Sequence, residues 1–61
     1  MSMNDTDTLK ALEQVLDLTD ESDWHLVHNT VRKYVSEGKL SADGEKAYKE
    51  MVDKKLTERD A

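Results

Sequence analysis

Apolar residues recur every three or four positions along this chain, in three stretches separated by polar breaks. Counted from Thr8 at about 100° per residue, Leu9, Leu12, Val15 and Leu16 fall on one side, while Lys10, Glu13, Gln14 and Asp17 fall on the other. This pattern predicts a short amphipathic helix over 7–18. The segment Leu18-Thr19-Asp20-Glu21-Ser22-Asp23 interrupts it and offers Thr19, Asp20 or Ser22 as the cap of a second helix. Carboxylates in a first turn also suit the positive end of the helix dipole.

On that second helix, expected over 21–37, Trp24, Val27, Val31 and Tyr34 repeat with 3-4-3 spacing and Val35 widens the stripe. Trp24 lies on the stripe and is therefore expected in the core, whereas Leu26 falls on the polar arc, where a charged residue would be usual. Gly38 supplies a C-terminal stop, because glycine enters the left-handed conformation without a Cβ penalty. Ser41 then reads as the N-cap of a third helix over 42–58, whose apolar face is Ala47, Tyr48, Met51, Val52 and Leu56. Its other face is a ladder of opposite charges four apart: Glu45/Lys49, Lys46/Glu50, Lys49/Asp53 and Glu50/Lys54. Residues 1–6 and 58–61 show no periodicity and are expected to be disordered.

Composition narrows the fold further. There is no proline, and Gly38 and Gly44 are the only glycines, so the turn chemistry of a small β protein is missing and an all-α fold is expected. At 61 residues the chain is read as one small helical domain, either a three-helix bundle or a helical hairpin that dimerises. It has no cysteine, so neither a disulfide nor a thiolate metal site can support so small a core. A homodimer is expected on that ground. The lack of cysteine, of a basic apolar leader and of a long apolar run makes the expected location cytoplasmic.

Charge is unevenly distributed, and this bears on function. The formal net charge is −5, yet residues 1–23 carry −6, residues 24–39 carry +2 and residues 40–61 carry −1. An acidic first third disfavours general nucleic-acid binding and suits a basic protein partner. The candidate partner surface comprises Asp17, Asp20, Glu21, Asp23, Leu26 and His28. An alternative is a DNA-associated helix-turn-helix regulator that contacts phosphate through Lys46, Lys49, Lys54 and Lys55 on the third helix. Acidic residues interleave those lysines, and the connection before them is longer than the motif usually has.

Candidate chemistry is sparse. His25 and His28 stand three apart on a helix, but no HExxH pattern or second cluster completes a metal shell. A nucleophile at Ser22 or Thr30 would need a histidine base, an orienting group and a closed pocket. No catalytic, cofactor-binding or metal-ligating residue is therefore assigned, and the chain is read as non-enzymatic. The expected role is that of a small regulatory or accessory protein acting by protein–protein contact, of the kind carried by phages and mobile elements.

Overall fold

The structure, a computed structural model, describes the backbone from Met3 to Asp60 and the side chains from Asn4 to Glu58. Met1, Ser2 and Ala61, which the sequence places in disordered ends, lie outside the described residues. Among those described there are three α-helices and no strand: α1 (Met3–Leu18), α2 (Trp24–Ser36) and α3 (Ala42–Asp60). A 3₁₀ turn, Glu21–Asp23, leads into α2. All three helices contribute to one core of Leu12, Leu16, Trp24, Val27, Val31, Leu40, Tyr48 and Val52. The 3-4 spacing read from the sequence supplies most of these residues, and Leu9, Tyr34, Val35, Met51 and Leu56 pack around them.

Helix α2 starts at Trp24, after the 3₁₀ turn, and stops at Ser36 rather than spanning 21–37, and the outer ends of α1 and α3 differ from expectation as well. Helix α1 begins at Met3, so residues 3–6 are helical, and α3 continues past residue 58 to Asp60. The early start of α1 has a physical cause in Asp5, which is only 3% exposed. Its carboxylate accepts hydrogen bonds from the Ser41 backbone N–H at 3.2 Å and from the Ser41 hydroxyl at 2.5 Å. The Ser41 hydroxyl oxygen in turn accepts the Gly44 N–H at 3.0 Å, and the Ser41 carbonyl accepts the Glu45 N–H at 2.9 Å. Ser41 is thus the N-cap of α3, as the sequence indicates. In an ordinary capping box a Glu or Gln three residues after the cap bonds back to the cap's N–H. Here that position is Gly44, and Asp5, from a different helix, provides the carboxylate. One buried side chain thereby fixes the start of α3 against the first turns of α1.

The turn after α2 ends on Gly38, whose φ is +77°. The Gly38 N–H donates to the Val35 carbonyl at 3.1 Å and the Lys39 N–H to the Tyr34 carbonyl at 2.8 Å, the paired bonds of a Schellman motif. The turn delivers Leu40 into the core, where it is fully buried.

The other junction is closed by Trp24. Its indole N–H donates to the carbonyls of Leu16, at 3.1 Å, and Thr19, at 3.0 Å. The same side chain that fills the core thus bonds two carbonyls where α1 ends, one of which, that of Leu16, also accepts the Thr19 N–H at 3.2 Å. The expected caps work differently: Asp20 makes no side-chain capping bond, and the Thr19 hydroxyl donates back to the Val15 carbonyl at 2.6 Å. Replacing Trp24 by Phe keeps an aromatic ring in the core but leaves those carbonyls without the indole donor. The expected loss is about 1–3 kcal/mol in a urea melt followed by circular dichroism.

Candidate protein-interaction surface

Helical periodicity decides which candidate residues share a surface. On α2, Leu26 and His28 are two residues apart in sequence but about 160° apart around the helix. His28 turns toward α3. Its Nδ1 shares a 2.7 Å hydrogen bond with the Tyr48 hydroxyl, and the two rings meet edge to face with centroids 5.7 Å apart. A cleft of about 400 Å³ between α2 and α3 is lined by this pair with Arg32, Lys49, Glu45 and Asp53, so both charge signs are represented. Asp17 also lies toward α3, where the Lys55 ammonium donates to it at 2.6 Å. That bond is the main cause of an upward shift in the Lys55 pKa. Of the six residues read as one surface, Asp20, Glu21 and Asp23 lie between α1 and α2 and Leu26 in the first turn of α2, while Asp17 and His28 are bonded to side chains of α3.

Tyr48 carries a pH prediction. Burial pushes its phenol from 10.0 up to about 12, because a phenolate there would lose its hydration. Its folded-state pKa exceeds the unfolded value, so the associated stability is fully present below pH 10 and is lost as pH rises through 12. The size is of order 2 kcal/mol. Urea melts between pH 9 and 12 are expected to show this loss in the native chain, and Tyr48→Phe removes that component while sparing the part due to lysine deprotonation.

The junction itself has a distinct character. Leu18 is 89% exposed and Leu26 57% exposed, and the neighbouring Asp20, Glu21 and Asp23 are also exposed. Asp23, like Asp20, makes no side-chain capping bond. Val15, which the sequence places with Leu12 and Leu16 on the apolar face, is 46% exposed. It sits about 100° around α1 from Leu16, beyond the sector that α2 and α3 cover. The apolar surface of the junction therefore continues up one flank of α1.

The lysines of the alternative reading are divided. Lys46, Lys49 and Lys54 occupy the solvent-facing arc of α3, whereas Lys55 lies about 180° from Lys46 and is paired with Asp17 on α1. The outer arc also carries Asp43, Glu50 and Asp53, so its charges cancel. The four charge-ladder pairs do not close to ion-pair distance among the described residues.

The histidines are both engaged: the His25 Nδ1–H donates to the Ser22 carbonyl at 3.0 Å, and His28 is bonded to Tyr48. Among the described residues no group of three or more His, Cys, Asp or Glu side chains is placed to hold a metal ion. Among the described residues no helix is long and apolar enough to cross a membrane. Comparison with protein-family models, with curated proteins and with solved structures finds no match.

Proposed function

We propose that this protein is a non-enzymatic interaction module, a small regulatory or accessory protein that docks on a basic protein partner through the α1–α2 junction. The observation that carries this reading is the exposure of Leu18 and Leu26 beside Asp20, Glu21 and Asp23. Carboxylates kept only for solubility would not need two bare leucines among them, and an apolar patch with a charged rim is the usual form of a protein contact. The acidic rim selects a cationic partner and speeds its approach more than it adds affinity.

A second copy is a weaker candidate for the partner. The expectation of a homodimer came from the small size of the core, and the three helices of a single chain already enclose Leu16 and Leu40 fully. A second copy would also bring an equally acidic junction. The DNA-binding alternative has less support, since its lysines do not form one basic surface.

Affinity capture with the tagged protein from its native cell extract tests the reading, comparing the native chain with a variant carrying Asp20→Asn, Glu21→Gln and Asp23→Asn. One protein held near stoichiometry by the native chain and depleted at least about tenfold by the variant is expected. Equal retention by both would remove the charge argument, and recovery of nucleic acid alone would transfer the case to the lysines of α3.

A further inference from the structure

Helix α1 carries two stripes. One enters the core through Leu12 and Leu16. The other, made of Ala11, Val15 and Leu18, follows the same alternation of three and four residues but is exposed along its whole length. On the adjoining flank of α2 stand Leu26 and Thr30, both exposed, and Tyr34, half-buried. Between the two helices lies a concavity of about 360 Å³ whose walls include Ala11, Val15, Thr30 and Tyr34. An exposed stripe with helical spacing beside a groove is the geometry by which a protein accepts one more helix, laid in with its apolar face down.

From this we infer that the α1–α2 groove is the docking site for an amphipathic helix of the partner, with cationic residues on that helix's polar face. The inference rests on the proposed function and specifies the form of the partner. Charge identifies the occupant. In sequence the exposed Asp20, Glu21 and Asp23 lie between the Leu18 and Leu26 ends of the two stripes, and Lys39, over the Tyr34 ring at 5.8 Å, is in the wall of the concavity. The cationic residues of the incoming helix therefore concentrate over the Leu18–Leu26 end. Helix α1 of a second copy would bring the acidic stretch 1–23 against the same rim, which is repulsive at contact distance.

The test uses the full isotope-labelled chain and two synthetic peptides of about 18 residues, five turns of helix. Both peptides share a Leu/Ala face; the polar face is Lys/Arg in one and Glu in the other. The basic peptide is expected to shift the amide resonances of Ala11, Val15, Leu18, Leu26 and Thr30, and the acidic peptide to bind at least about tenfold more weakly. Val15→Glu, at an exposed site that tolerates the change, is expected to weaken the basic peptide at least about tenfold with unaltered helicity, while Lys54→Glu on the far side of α3 has no effect. Equal binding of the two peptides, shifts centred on the α2–α3 cleft, or indifference to Val15→Glu would overturn the inference. The broader reading is tested apart from it: a cellular partner still captured by the Val15→Glu protein would leave the interaction module standing with the groove excluded, whereas loss of any partner from the native chain would remove both.

Discussion

Replacing Asp5 by Ala is expected to lower stability by about 2–3 kcal/mol, although the residue lies in a stretch with no hydrophobic periodicity. The carboxylate accepts two hydrogen bonds from Ser41 and is itself buried. Loss of a cap costs about 1 kcal/mol, and a buried hydrogen-bonding group left without its partner costs about 1–3 kcal/mol. A domain of this length has about 3–9 kcal/mol in all, so the change removes a large share and lowers the melting temperature by roughly 10–20 °C. Removing residues 1–6 is expected to be at least as damaging as Asp5→Ala. Asp5→Asn, which retains one acceptor oxygen, falls between. Thermal melts by circular dichroism, with amide exchange at Ser41 and Gly44 as the local readout, check all three. If Asp5→Ala melts within a degree or two of the native chain, Asp5 does not fix α3.

Gly44→Ala is expected to destabilise where helix propensity alone favours it by nearly 1 kcal/mol. A Cβ built at Gly44 would stand 2.6 Å from Leu40 Cδ1, 3.0 Å from Leu40 Cγ and 3.2 Å from Asp5 Cγ. Leu40 is fully buried, so its displacement disturbs the core, and displacing Asp5 breaks the bonds that cap α3. Overpacking of this kind costs about 1–3 kcal/mol. Because the new methyl presses on Asp5, the Gly44→Ala and Asp5→Ala effects should not add, with a coupling of about 0.5 kcal/mol or more in a double-mutant cycle. Urea melts of the two single variants and the double variant measure this. A stabilised Gly44→Ala would show that the three-residue lock is looser than the distances imply.

What was legible in the sequence follows the range of the interactions. Gly38 and Ser41 could be read because a left-handed stop and an N-cap are made with residues a few positions away. Trp24, Val27, Val31, Tyr48 and Val52 could be read because one side of a helix must be apolar if it is to be buried. Asp5 could not, since its partner is 36 residues further on and a lone aspartate before an amphipathic stretch resembles any solvated end. Leu40 was missed for the opposite reason: it stands alone in a turn, without periodic neighbours. Val15 falls on the apolar side by the 3-4 rule yet is 46% exposed, because that rule covers a sector wider than the two neighbouring helices fill. The grouping of His28 with Leu26 followed closeness in sequence, and the helix separates them. One signal was available for the junction: a polar break with four acids and no lysine or arginine in 17–23, flanked by Leu18 and Leu26.

In the proposed reading one chain closes its own core, and the α1–α2 flank is left for a partner of different composition. Sedimentation equilibrium of the purified full-length protein over a hundredfold range of concentration, with helicity recorded on the same samples, tests this most directly. The monomer mass is expected throughout, with high helicity that is lost cooperatively on heating. A mass rising toward that of a dimer, or low helicity until another chain is supplied, would contradict it, because the core would then be completed from outside.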